Sequence, residues 1–173
     1  RVSHYLKLDG GIDLVGESQL LQDDGSLVDL QSSGWLERDQ QGTANSFNYN
    51  YWSSPVSHQE AKNNSTYTIG EVMLDGSPTA NYGKVLSFND WHEYADGPLS
   101  VPRKVSNYWI NKFRGTANVY SEWKRIGSSG TLNAGEGYTM KGTSGTAAIE
   151  DRQNYVFKGK PNNGTILLTV GTE

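Results

Sequence analysis

Apolar residues in this chain almost never recur at the three-and-four spacing of a helix, and Gly or Pro interrupts most windows long enough to hold one. What remains is a series of short runs of alternating polarity, each long enough for a strand and no more. Leu6, Leu8, Ile12, Leu14, Leu20 and Leu27 fall in brief segments punctuated by Gly10-Gly11, Gly16 and Asp24-Gly25. That spacing is too irregular for a counted repeat and fits two arrangements, a few β-solenoid-like turns or a plain edge sheet.

From Gly34 the pattern thickens. In Ser46-Phe47-Asn48-Tyr49-Asn50-Tyr51-Trp52 the aromatics at 47, 49 and 51 share one face of a strand and Trp52 falls on the other. Pro55 ends that run, because Pro lacks a ladder donor and restrains the residue before it. The stretch 58–65 reads as a helical turn or loop. Further strands are expected at 84–88, 108–113, 121–126, 137–141, 154–158 and 165–170, with Pro161-Asn162-Asn163-Gly164 as a hairpin turn. These runs predict an all-β chain. Its body is an antiparallel β-sandwich or jelly-roll-like fold over 34–173, and residues 1–33 form the turn-rich opening of the same module.

A chain of 173 residues is long enough to bury one real core. Its 5 Trp and 10 Tyr supply the bulky apolar area that disordered chains lack. No stretch approaches the roughly 20 apolar residues of a membrane span. A net charge of -4 with scattered Lys and Arg leaves no basic stripe for nucleic acid. The absence of Cys removes disulfides, thiolate zinc sites and thiol nucleophiles. The start at Arg1, without an initiator Met or an apolar signal core, points to a processed or excised piece of a longer chain.

Two constellations carry candidate chemistry. The first is the aromatic set Tyr49, Tyr51, Trp52, Trp91, Tyr94, Tyr108, Trp109 and Trp123. Aromatic rings stack on the apolar faces of pyranose rings, and neighbours such as Asn48, Asn50, Asn89 and Asp90 can bond the hydroxyls. Within it the candidate ligand-binding residues are Trp91, Tyr94, Asn89, Asp90, Trp52 and Tyr49. Trp91 stands out because FNDWHEYADGP is polar and bounded by Gly and Pro, as an exposed loop would be. The competing role is packing: aromatics alternating along a strand usually face the core, which is the ordinary expectation for Tyr49, Tyr51 and Trp109.

The second constellation is a carboxylate pair for glycoside hydrolysis, drawn from Glu37, Asp39, Glu136, Glu93 and Asp90. The simpler reading makes Glu37-Arg38-Asp39 a local ion-pair cluster beside a turn and Glu136 a loop residue between two glycines, so no catalytic residue is expected. His4, His58 and His92 lack partners at ligand spacing. Asp9 with Asp13, Asp23-Asp24-Gly25 with Ser26, and Asp90 with Glu93 offer oxygen ligands to calcium without the spacing of a known calcium loop. The simpler reading makes these stretches ordinary turns, with calcium as the one candidate ligand, and no other cofactor is expected. Gly127 to Gly130 and Gly142 to Gly145 lack the ending of a phosphate loop and read as hairpin loops, and no Gly-x-Ser-x-Gly elbow is present.

Five stretches taken in order, LDGGIDLVGESQLLQ (8–22), GWLERDQQGTANSFNYNYWSSPV (34–56), SNYWINKF (106–113), LNAGEGYTMKG (132–142) and QNYVFKGKPNNGTILLTV (153–170), resemble a segment of very large secreted surface proteins of gliding and related Bacteroidetes, associated with type IX secretion. Residues 67–102 match least. The resemblance implies export to the cell surface, a β-rich scaffold within a longer polypeptide, and a continuation past Glu173 that would leave 165–170 as an open sheet edge for a neighbouring domain or another copy. It assigns no catalytic residue. The expected role is a non-catalytic module that binds a polysaccharide or surface glycan or serves as a spacer or adhesin domain; the alternatives are a structural subunit of a surface fibre and a glycan-active enzyme domain.

Overall fold

The computed structural model describes residues 1–60, 62–77, 82–89 and 103–169. In chain order the strands are β1 (Tyr5–Leu6), β2 (Gly11–Leu14), β3 (Leu27–Val28), β4 (Trp35–Thr43), β5 (Tyr49–Ser53), β6 (Val56–Ser57), β7 (Met73–Asp75), β8 (Ser87–Asn89), β9 (Lys104–Ser106), β10 (Asn111–Phe113), β11 (Trp123–Arg125), β12 (Gly137–Lys141) and β13 (Arg152–Pro161). Among the described residues helix is confined to α1 (Ile69–Val72) and two single 3-10 turns, Asn107–Trp109 and Tyr120–Glu122. The chain is all-β, as its punctuation predicts.

The N-terminal pattern resolves into stacked turns. Val2 bridges Gln22, β1 pairs β3 and β2 pairs β4, all in parallel, so the first turn lies against the second in the manner of solenoid rungs. Leu8 and Val28 are buried within this region. The Ser32 hydroxyl accepts from the Leu8 amide at 2.9 Å, and the Gly34 amide donates to the Leu8 carbonyl at 2.7 Å. Gly34 is required by close approach, since a Cβ there would collide with the backbone of Gly10. β4 then carries the rungs into the body, because its other edge takes β13 in an antiparallel ladder running from Leu36↔Gly159 to Thr43↔Arg152.

Two sheets make the body. One has the order β2-β4-β13-β6 with β7 also on β13; the other has the order β11-β10-β12-β5. Their inner faces meet in a shared core: Leu36, Tyr155 and Phe157 from the first sheet, Trp52, Tyr138 and Met140 from the second, with Ile69, Val72, Val105, Ile110 and Leu132 filling the remainder. Trp52 packs edge-on against Tyr155, ring centroids 5.1 Å apart, and against Phe157 at 5.7 Å. Asn50, the other inward residue of β5, copies a strand partner: its Oδ1 accepts from the Thr43 amide at 2.7 Å and its Nδ2 donates to the Thr43 carbonyl at 3.2 Å. The polar side chain is thereby satisfied at the interface between the sheets.

Several expected elements differ. The 108–113 run divides into a 3-10 turn and β10, and 121–126 yields β11 behind a second 3-10 turn. The parallel pair of β8 and β9 was not foreseen at Lys104–Ser106. Residues 161–164 are not a hairpin. Asn162 and Asn163 are tied sideways: the Asn163 amide donates to Asn64 Oδ1 at 2.7 Å and the Asn162 amide to the Pro55 carbonyl at 3.1 Å. Gly164 takes φ +69° beyond them, and the chain leaves the sheet. Residues 165–169 accordingly form no strand, although their composition suits one, and Leu167 is 90% exposed. Residues 165–169 therefore do not form the open sheet edge expected at 165–170, and Val170 lies outside the described residues.

Candidate functional site

The outer face of β11-β10-β12-β5 is aromatic, and its order follows from register. Tyr51 lies opposite Thr139, Thr139 opposite Asn111 and Asn111 opposite Arg125, which sets one row across the four strands. On one side of this row Tyr49 pairs with Lys141. On the other, Phe113 pairs with Trp123, and Ser53 with Gly137. Side chains two residues apart on a strand share a face, so all of these project away from the core. Tyr51 is 74% exposed, whereas Trp52, its neighbour in sequence, is 8% exposed.

Above one end of this face the chain turns through Asn107–Trp109. The Asn107 side chain holds the turn, accepting from the Ser128 amide at 2.7 Å and donating to the Asn89 carbonyl at 2.8 Å. Tyr108 and Trp109 then stand as a wall, their rings 4.7 Å apart and edge to face, with Tyr49 meeting Trp109 at 6.3 Å. Tyr120, on the second 3-10 turn and 90% exposed, stands on the far side. Between them lies a cleft of about 660 Å³, within the range of sites that hold small ligands. A shallower groove of about 440 Å³ continues it past Tyr51 and Trp123 toward Phe113. Small Ser53 and Gly137 leave room there beside the Phe113 and Trp123 rings, which are 5.3 Å apart.

The cleft offers ring faces, phenolic hydroxyls, the Asn111 and Thr139 side chains and the Arg125 guanidinium. Desolvation pushes the Tyr49 hydroxyl above its ordinary pKa, with the neighbouring Tyr120, Tyr51 and Tyr108 adding to the effect, so it stays a neutral donor at physiological pH. The Arg125 guanidinium lies 3.7 Å from the Tyr108 ring centroid, and the Lys141 ammonium lies 3.6 Å from that of Trp109 and 5.0 Å from that of Tyr49. Burial pulls the Lys141 pKa below its usual value. Among the described residues no Asp or Glu lines the cleft.

The candidate residues separate accordingly. Tyr49 lies on the cleft. Trp52 does not: the strand's alternation turns it inward under the Tyr51 row, and no face of it is open for stacking. Asn89 is 4% exposed at the end of β8, out of reach of a surface ligand. Asp90, Trp91 and Tyr94 lie outside the described residues. The packing role expected for Tyr49 and Tyr51 is overturned, because the core lies on the opposite face of β5. Of the wider aromatic set, Tyr51, Tyr108, Trp109 and Trp123 join Tyr49 at the cleft. Tyr120, Lys141 and Arg125 had not been singled out. The alternation of Gly137, Thr139 and Lys141 was a usable signal once β12 was paired with β5; Tyr120, in a turn, left none.

The carboxylates considered for hydrolysis are engaged elsewhere. Glu37 accepts from the Trp35 indole at 2.8 Å and from Lys158 at 2.6 Å, Asp39 accepts from the Tyr82 hydroxyl at 2.7 Å, and Glu136 accepts from Lys112 at 2.8 Å. Arg38 pairs with neither of its acidic neighbours: it donates to the carbonyls of Leu14, Gly16 and Ser18, so the expected local ion-pair cluster is a clamp on the rung corner. Glu93 and Asp90 lie outside the described residues. Of the calcium candidates, Asp9 meets Lys7 at 3.3 Å and Asp23 meets Arg1 at 2.7 Å. Among the described residues no three His, Cys, Asp or Glu side chains gather at one point, and no helix is long and apolar enough to cross a membrane. Compared with known proteins, the chain matches no family model, no curated sequence and no solved structure.

Proposed function

We propose that this protein is a non-catalytic carbohydrate-binding module, carried by a larger surface protein, that holds a glycan in the aromatic cleft of β5, β12, β10 and β11. The observation that carries the reading is the outward placement of Tyr49, Tyr51 and Trp123 beside Tyr108 and Trp109. A protein whose core already holds Trp52, Tyr67, Tyr138, Tyr155 and Phe157 gains little stability by exposing further rings. Rings in a row with hydroxyl and amide groups between them suit the alternating apolar faces and hydroxyl edges of a sugar chain. The cleft is open along the groove toward Phe113, which favours a stretch of polymer over a single enclosed sugar.

A glycan array probed with the whole chain, with and without calcium, tests this reading. Retention of one or more glycans, lost when Tyr51 is changed to Ala in protein that still melts normally, supports it. A folded chain that retains no glycan in either condition overturns it.

A further inference from the structure

We infer that two copies of this chain join through the open edge of the first stacked turn, strand to antiparallel strand, about a twofold axis at Gly10. This surface lies on β1 and β2 and shares no residue with the aromatic cleft, so it stands apart from the carbohydrate reading. The first turn bonds to the second through its even positions: the Leu27 amide donates to the His4 carbonyl, the Asp29 amide to that of Leu6, the Gly34 amide to that of Leu8 and the Trp35 amide to that of Gly10, at 2.7 to 3.1 Å. Successive residues of a strand send these groups to opposite sides. The amides and carbonyls of Tyr5, Lys7, Gly11 and Asp13 therefore point away from the second turn, and among the described residues no strand pairs with them there. The apolar lining is unfinished on the same side. Leu6 and Ile12 are half-buried, whereas Val28 and Leu36, which they pair with on the second turn, are buried. An open end of stacked turns needs a cap or a further layer to close it.

The residues around Gly10 complement themselves when read in opposite directions. Gly10 is the bend between β1 and β2, so a twofold axis through it lays β1 of one copy along β2 of the other. The residues that carry the open backbone groups then face one another: Lys7 meets Asp13, Tyr5 meets Val15 and Asp9 meets Gly11. An opposite-charge pair and an aromatic–β-branched pair both favour antiparallel neighbours, and each occurs twice because the contact is isologous. Tyr5 and Val15 are exposed in the single chain. On the inner side Leu6 meets Leu14 and Leu8 meets Ile12, which covers the half-buried Leu6, Ile12 and Leu14. Gly10 and Gly11 put no side chain at the axis, so the backbones can approach. The charges also fix the register, since a slip of two residues in either direction sets Asp9 opposite Asp9 or Asp13. Within one copy Lys7 meets Asp9 at 3.3 Å, but both side chains are more than half exposed. Such a pair contributes little and leaves Lys7 able to turn to Asp13 of the second copy.

Sedimentation of the whole chain over a range of concentrations provides the test. The parent should show a monomer–dimer equilibrium and nothing larger, because an isologous contact closes at two copies. Lys7→Asp and Asp13→Lys should each weaken the dimer about tenfold or more, since each sets like charges opposite one another twice, with melting temperatures confirming that both variants fold. An equimolar mixture of the two variants should regain the parental affinity as a heterodimer, and the double variant should regain it alone, because both combinations restore the two opposite-charge pairs. Hydrogen exchange at the amides of Tyr5, Lys7, Gly11 and Asp13 should slow as concentration rises. A parent that stays monomeric at every soluble concentration, a dimer that neither reversal weakens, or reversals whose mixture fails to associate overturns the inference.

Discussion

The ammonium of Lys112, 2% exposed, donates to the Glu136 carboxylate at 2.8 Å and to the Thr131 carbonyl at the same distance. Lys112 is the inward residue of β10, between the outward Asn111 and Phe113, so the strand that carries the aromatic face is anchored beneath by a nearly buried charge. Removing one partner of such a pair costs about 3–5 kcal/mol when both are buried, and Glu136 is 23% exposed, which places Glu136→Gln toward the low end. Lys112→Met, which also removes the buried charge, should cost less than Glu136→Gln. Urea denaturation of the two variants checks the order.

The same pair sets an acid limit on stability. Burial alone would raise the Glu136 carboxyl, but the Lys112 ammonium and the Asn133 amide outweigh it and hold the group below the usual carboxylate range. Its contribution is therefore complete above the unfolded value of about 4.3 and is lost as pH falls through the lower, folded value. The stability gap between the parent and Glu136→Gln should be constant near neutrality and close on the acid side of that value. A gap that does not change with pH would contradict the assignment.

Adjacent residues on β5 should behave as opposites. Trp52→Ala empties a site against Tyr155 and Phe157 and should cost about 3–5 kcal/mol of stability. Tyr51→Ala removes an exposed ring, should leave the melting temperature nearly unchanged, and should weaken glycan binding by the about 0.5–1.5 kcal/mol typical of a ring contact, roughly two- to tenfold. Thermal melts and titrations of both variants check the contrast.

Gly34→Ala should loosen the stacked turns, because the added methyl meets the Gly10 backbone. Overpacking of this kind costs about 1–3 kcal/mol. Hydrogen exchange should show the loss concentrated at the amides of Gly34 and Trp35, which donate to Leu8 and Gly10, with the β12 and β5 ladder unaffected.

Leu167→Lys should change neither stability nor self-association, since the side chain is exposed and residues 165–169 belong to no ladder. Sedimentation of the parent and the variant at matched concentrations checks this. Association in the parent that the variant abolishes would restore the sheet-edge reading.

Much of the architecture was legible because it is local. Gly and Pro punctuation excluded long helices, and two-residue alternation placed Tyr49 and Tyr51 together and Trp52 opposite, since strand geometry alone decides which residues share a face. β12 was read with its full extent for the same reason. Which face turns inward is not local. It depended on β13 presenting Tyr155 and Phe157 to one side of β5, a partner far away in the chain, so Trp52 became core and the tyrosines became surface. The choice between stacked turns and an edge sheet likewise needed the parallel pairing of β1 with β3 and β2 with β4, which irregular spacing could not announce. The fate of 165–169 turned on hydrogen bonds that the Asn162 and Asn163 amides donate to the Pro55 carbonyl and the Asn64 side chain, which draw the chain off the sheet despite its strand-like composition. The contact of Lys141 with two rings was hidden most completely, because Lys141, Trp109 and Tyr49 lie on three separate segments, and only pairing across β5, β12 and the turn before β10 brings the ammonium onto them.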